Sequence, residues 1–236
     1  AAVTLATGKY SATRLISTLR MHGGYIGPIY VITDHPEEVR KHGALPLELR
    51  DHLGPAFQSD VARQRWEDSK IVKVKWYKTQ LFHMLPNDIQ TVLFLDADVE
   101  INAPMTSFQN AIADYKEHLA ATKCTAYFFA ERFYTPDNHN SGTGVLFREA
   151  SAELLQEWGK EILTGKHIRD QVALDTTLKR TGLKVCDLPA RMNYYSTDLM
   201  TQVTNILLGG RVQKHATFIH ETARKNLRDL DSSVDH

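Results

Sequence analysis

Two cysteines in 236 residues are too few for a disulfide framework. Cys124 and Cys186 both fall in apolar, strand-like segments, where the expectation is an inert buried thiol and not a bridge. Glycine and proline are sparse, at 13 and 8, which excludes collagen-like and low-complexity architectures. Neither sign of charge is in surplus: 28 Lys plus Arg balance 28 Asp plus Glu. A formal net charge of zero leaves no global field to draw the chain to nucleic acid or to an acidic membrane, so nucleic acid is not an expected partner. Apolar runs such as those at 92–95 and 206–208 fall far short of the ~18 residues of a spanning helix, so no membrane segment is expected in this chain. Internal repeats and low-complexity tracts are also missing.

What is present is the composition of a folded domain, 42% apolar and 24% charged, with a length that one α/β domain accommodates. The expectation is a single domain over 1–236. Val3 to Ala6 reads as a short buried strand. Thr13 to Met21 carries Leu15, Ile16 and Leu19 at helical spacing before Gly23-Gly24, and Pro28 to Thr33 is the next strand. This strand, helix, strand order is a βαβ unit and implies a parallel sheet covered by helices. From 34 to 75 the pattern dissolves into Pro, Gly, His and charged residues, too long for an ordinary connection, and is read as a functional excursion with short local structure. Tyr77 to Leu85 reads as a helix and Thr91 to Leu95 as a continuous apolar strand inside the sheet. Helices are expected over Ser107 to Ala120, Ala150 to Leu163 and Asp170 to Arg180. Strands are expected over Thr125 to Ala130, Gly144 to Phe147, Leu183 to Leu188 and Ala216 to His220, and 224–236 reads as a surface tail.

The strand at 91–95 delivers Asp96 at its carboxyl end, where ligands bind in open α/β sheets. Asp96 and Asp98, separated by the small Ala97, can converge on one hard cation shared with substrate phosphates. An isolated pair of this kind more often only solvates a turn, but a buried strand ahead of it places the carboxylates rigidly. Leu95-Asp96-Ala97-Asp98-Val99 also resembles the nucleophile motif of haloacid dehalogenase-like phosphatases, in which Asp96 would be a covalent nucleophile and Asp98 the acid and base. That motif normally opens its domain, whereas a complete βαβ unit precedes it here.

Lys78-Thr79-Gln80-Leu81-Phe82, the 92–99 segment, Asn140-Ser141-Gly142, Asp170-Gln171 and Phe218-Ile219-His220, in this order, together resemble the glycogenin-like glycosyltransferases of family eight. The resemblance runs from Thr4-Leu5-Ala6-Thr7 to His220. It implies a single-domain nucleotide-diphospho-sugar transferase of the GT-A, Rossmann-like fold with a mainly parallel central sheet. The activity implied is metal-dependent transfer of a sugar from a nucleotide diphosphate donor, a UDP-sugar, to a hydroxyl of a glycan, protein or small molecule, with retention of anomeric configuration. A non-catalytic sugar-nucleotide binding module is the remaining alternative.

The resemblance also distributes roles. Thr4, Ala6 and Thr7 would lie against the uridine, and Asp96, Ala97, Asn140, Ser141 and Gly142 against the donor. Asp96, Asp98 and His220 would hold the metal. Imidazole beside carboxylates favours Mn2+, with Mg2+ as the alternative. Lys78 would reach the donor sugar or its phosphate, and Asp170 with Gln171 would work at the transferred sugar. Asp170 could equally be a helix cap and His220 a structural histidine, one of 11. Family members carry a glycine three residues and a lysine six residues after the histidine, where this chain has Ala223 and Asn226, so Arg224 or Lys225 is expected to supply the charge on the diphosphate. Arg132 and Tyr134 are candidate acceptor contacts. Asp98→Asn is expected to abolish transfer and metal-dependent nucleotide binding while leaving the fold intact, and relief of carboxylate repulsion could even raise the stability of the metal-free protein. The chain opens without an initiator Met, so a trimmed leader is expected, and the compartment stays open between the cytoplasm and, with an upstream anchor, the Golgi lumen.

Overall fold

The structure is a computed structural model and describes residues 1–8, 10–49, 70–131, 138–167, 169–189, 192–195, 203 and 205–220. A seven-stranded sheet has the order β3-β2-β1-β4-β7-β6-β8. Its strands are β1 (Ala2–Ala6), β2 (Ile29–Thr33), β3 (Leu45–Glu48), β4 (Thr91–Leu95), β6 (Ala126–Glu131), β7 (Asn138–Phe147) and β8 (Val185–Asp187). Every strand pair is parallel except the two made by β7, which runs antiparallel to β4 and β6. The sheet is therefore mainly parallel, and β4 is interior, between β1 and β7.

Both faces of the sheet are buried, which is why its central strands read as unbroken apolar runs. Side chains alternate between two cores. Ala2, Ala6, Leu93, Leu95, Val145 and Phe147 pack with Leu15, Ile16 and Leu19 of α1 (Thr13–Met21) and Phe108 of α5 (Thr106–Thr122). Val3, Val92, Phe94 and Leu146 point the other way. They meet Trp76 and Tyr77 of α3 (Lys70–Tyr77), Leu81 and Phe82 of α4 (Leu81–Met84), Leu154 and Trp158 of α6 (Ala152–Leu163), and Ala173 and Leu174 of α7 (Asp170–Thr181). Residues 78–80 form a 3₁₀ turn between α3 and α4, so the helix expected from Tyr77 is broken into three pieces.

Part of the stretch read as an excursion is regular structure: α2 (Pro36–Lys41) leads into β3, the outermost strand. A second sheet, β5-β10-β9, is built from three-residue strands: β5 (Val99–Ile101), β9 (Asn193–Tyr195) and β10 (Phe218–His220). It sets His220 opposite Val99, and hence beside Asp98.

One expectation is overturned. Cys124 and Cys186 are not free thiols: they form a disulfide, with Cα atoms 5.7 Å apart across a sequence separation of 62. The parallel pairing of β6 with β8 brings them together, which sequence spacing does not reveal.

Candidate metal and donor site

The β4 strand ends at Leu95, and Asp96 follows at the carboxyl ends of β1 and β4. Its backbone N–H donates to Gly142 O at 2.7 Å, and its carbonyl accepts from Val99 N–H at 3.0 Å, closing a turn that leads into β5. The turn aims both aspartates at the same space. Asp96, Asp98 and His220 offer ligand atoms that all lie within 4.8 Å of one another. His220 Nε2 sits 3.0 Å from Asp98 Oδ1.

Gly142 shapes this space from the other side. A Cβ there would lie 2.5 Å from His220 Cε1 and 2.6 Å from Asp96 Oδ2, so only glycine lets the strand approach the two side chains. The register explains the approach: Phe128 pairs with Gly144 but Phe129 with Asn140, so residues 141–143 step out of the β6 ladder. Thr143 keeps its place opposite Leu95 of β4. Asn140 Oδ1 accepts the Gly142 N–H at 2.8 Å and stiffens the bulge. Asn140-Ser141-Gly142, ahead of the strand expected from Gly144, thus lies inside a ten-residue strand.

Lys78 is buried at 7% exposure, not solvated on a helix face. Its ammonium lies 2.7 Å from Asp96 Oδ1 and 2.6 Å from Asp170 Oδ2, and 5.2 Å from the centre of the Phe94 ring. Ser141 Oγ donates to the same Asp170 oxygen at 3.1 Å. Asp170 is the first residue of α7, and Arg169 occupies the cap position. The Asp170 carboxylate faces Lys78 and Ser141, which removes the simple capping role.

Burial pushes each of these charged groups toward neutrality, and its neighbours decide the outcome. For Lys78 burial is outweighed by Asp170 and Asp96, so its pKa lies above the ordinary lysine value. Asp170 is held below the usual carboxylate range because Lys78 overcomes burial. Burial dominates at Asp96: despite Lys78, and with Asp98 and Asp170 adding repulsion, its pKa is raised. At Asp98 the His220 contact overcomes burial and lowers the pKa, and the same contact raises that of His220.

Two carboxylates and an imidazole, converging on a cradle that a single methyl would fill, suit a divalent ion that accepts mixed oxygen and nitrogen ligands.

Among the other expected residues, Thr4 and Ala6 face the first core at 1% and 0% exposure, and Thr7 is half-buried beyond the end of β1. Ala97 is half-buried between the two aspartates, and Gln171 is half-buried on the first turn of α7. Arg224 and Lys225, the departures at Ala223 and Asn226, and the candidates Arg132 and Tyr134 lie outside the described residues.

Two supporting residues escaped the sequence reading. Trp158, recognisable from its helical spacing only as core, donates its indole N–H to Asp170 O at 2.9 Å. Asp34, at the end of β2, accepts the Gly8 N–H with both carboxylate oxygens at 3.0 Å and so holds the loop after Thr7, with Gly8 at φ +61°. An acidic residue closing the strand next to β1 was the available signal.

No protein-family model matches the chain, and no curated protein is significantly similar to it in sequence. Solved structures do match in fold. Mouse xyloside xylosyltransferase 1, in its apo form, superposes with a TM-score of 0.59 at 10% identity, covering 95% of this chain and 98% of that one. The galactosyltransferase LgtC, solved with donor and acceptor sugar analogues, gives 0.59 at 15% identity, covering 94% and 86%. The apo glycosyltransferase GlyE of Streptococcus pneumoniae gives 0.57 at 16% identity, covering 93% of this chain and 53% of that protein. The chain has the GT-A fold of these glycosyltransferases.

Proposed function

We propose that the chain is a metal-dependent glycosyltransferase that moves a sugar from a nucleotide diphosphate donor, most simply a UDP-sugar, to a hydroxyl acceptor. The observation that carries this reading is the convergence of Asp96, Asp98 and His220 within 4.8 Å, cradled by Gly142 at the carboxyl end of β4. In open α/β sheets that end is the ligand side.

Asp96, Asp98 and His220 hold the ion, Mn2+ in preference to Mg2+. When bound, it supplies positive charge that offsets what develops on a departing diphosphate. Lys78 orients the Asp96 carboxylate through one oxygen and joins it to Asp170, so the metal side and the sugar side move as one unit. Ser141 fixes Asp170 from β7. Asp170 and Gln171 then flank the transferred sugar, and a carboxylate there stabilises an oxocarbenium-like centre, in keeping with retention. Asn140 and the backbone of Gly142 contact the donor. Thr7, just beyond the end of β1, receives the base and ribose, with Thr4 and Ala6 shaping the strand beneath it from within the core, and Lys225 supplies charge to the diphosphate from the chain beyond β10.

The likeness to transferases gives the phosphatase alternative no support. Asp96 is also poorly disposed as a free nucleophile, because Oδ1 is engaged by Lys78 and Oδ2 lies against Gly142.

The test is a thermal-shift panel of UDP-glucose, UDP-galactose, UDP-xylose and UDP-N-acetylglucosamine, with and without Mn2+, followed by donor hydrolysis. One donor should raise the melting midpoint only when Mn2+ is present, and its hydrolysis should need the metal. A chain that hydrolyses small phosphate esters and ignores every nucleotide sugar would refute the assignment.

A further inference from the structure

Between residues 201 and 220 the sequence contains no aspartate or glutamate, while Arg211, Lys214 and His215 are basic. Within the same stretch lie half of the exposed large hydrophobic residues among those described: Val203 at 40%, Ile206 at 75%, Leu207 at 79% and Leu208 at 50%. Val203, Ile206 and Leu207 have the i, i+3, i+4 spacing of the stripe that a globular helix turns inward; here it faces solvent.

The chain then folds back. Gly210 N–H donates to Asn205 O at 2.7 Å, and Gln213 N–H donates to Asn205 Oδ1 at 2.9 Å. Helix α8 (Arg211–His215) is thereby held against the apolar turn, with Arg211, Lys214 and His215 exposed on it. Asn102, directly after β5, ties this hairpin down by donating to the carbonyls of Gln213, Lys214 and Ala216 at 3.1 to 3.3 Å. β5 begins next to Asp98, so the surface is joined to the body that carries the metal ligands.

We propose that Ile206, Leu207 and Leu208, flanked by Arg211 and Lys214, form a docking surface for an anionic lipid bilayer. The apolar side chains enter the boundary between headgroups and acyl chains, and the two cations meet the lipid phosphates. The balanced net charge does not oppose this. At physiological salt a charge acts over about 8 Å, so a stretch free of acidic residues along the sequence from 201 to 220 presents its own positive potential. The binding claim itself does not rest on the transferase reading.

The test is flotation of the full chain with phosphatidylcholine vesicles and with vesicles that also contain phosphatidylglycerol. Wild type should float with the anionic vesicles and lose association in molar salt. The Ile206→Ser, Leu207→Ser pair and the Arg211→Gln, Lys214→Gln pair should each reduce partitioning by about tenfold. Both pairs should keep the wild-type melting midpoint, because the side chains are exposed, and should keep solution donor turnover. Should one pair melt early, the other carries the test. Failure of wild type to float, or flotation that neither pair alters, overturns the proposal. So does sedimentation showing a dimer that the serine pair dissolves while no vesicle binding is seen, which would assign the surface to a second copy.

Discussion

A methyl group added at Gly142 would have to displace His220, Asp96 or the β7 backbone, since both side chains lie inside normal contact distance of the added carbon. Gly142→Ala is therefore expected to keep the fold and to lower metal-stimulated donor turnover by about tenfold or more, as misplacement of ligands by a fraction of an ångström does. Measuring kcat and Mn2+ affinity together checks it; wild-type values for both would remove Gly142 from the site. Thr4 and Thr143 offer a paired comparison. Both hydroxyls are buried, and neither has a hydrogen-bond partner among the described residues. Valine keeps the shape without the unsatisfied hydroxyl, so Thr143→Val should gain about 1 kcal/mol of stability in denaturant titration. Thr4→Val should gain similarly, and because Thr4 is 1% exposed it should leave nucleotide affinity at the level of Thr143→Val. A nucleotide affinity weakened in Thr4→Val alone would instead assign its hydroxyl to the nucleoside.

The elements that could be read from sequence are those with enough length to show a period. β1, β2 and β4 are continuous apolar strands, and α1, α5, α6 and α7 carry inward stripes. β5 and β9 are three residues each, too short to display alternation, and they exist because β10 pairs with both. β7 was read only from Gly144 because Asn, Ser and Gly favour turns; its ladder with β6 and its contact with β4 impose the extended path. The candidate metal set was readable through motif order, but its link to Asp170 through Lys78 and Ser141 depends on how the 3₁₀ turn at 78–80, α7 and β7 come together. The disulfide was misread for the same reason: a count of two says nothing about β6 and β8 lying side by side. Because it ties β8, the edge strand, to a residue two positions before β6 across a separation of 62, its removal should matter. Cys186→Ser is expected to lose about 2 to 4 kcal/mol, through greater freedom of the unfolded chain. The thermal midpoint should fall by roughly 5 to 15 °C for a domain of this size. An equal midpoint with and without reductant in the wild type would show that the bond contributes nothing.

Across the whole molecule the site spans a seam. Asp96 directly follows a strand of the large sheet, while Asp98 leads into the small one and His220 ends its central strand. A ligand held by all three therefore braces the two sheets against each other, and its binding should appear in global stability. At a ligand concentration a hundred times its dissociation constant, the gain is about 2.7 kcal/mol. That corresponds to roughly 5 to 10 °C in a domain of this size. Asp98→Asn should abolish this gain for Mn2+ with donor, since the amide keeps the shape but lacks the charge that a divalent ion requires. The metal-free variant should not be more stable, contrary to the expectation from carboxylate repulsion. Lys78 already balances Asp96 and Asp170, and Asp98 is bonded to His220 at 3.0 Å, so the substitution exchanges a charge-assisted contact for a neutral one. A loss of roughly 1 kcal/mol is expected, given the partial exposure of Asp98. Parallel melts of wild type and Asp98→Asn, each with chelator, with Mn2+, and with Mn2+ and donor, separate the two effects. If the variant melts higher in chelator, repulsion dominates and the balance assigned to Lys78 and His220 is wrong; if it keeps the full ligand-dependent rise, Asp98 is not a metal ligand.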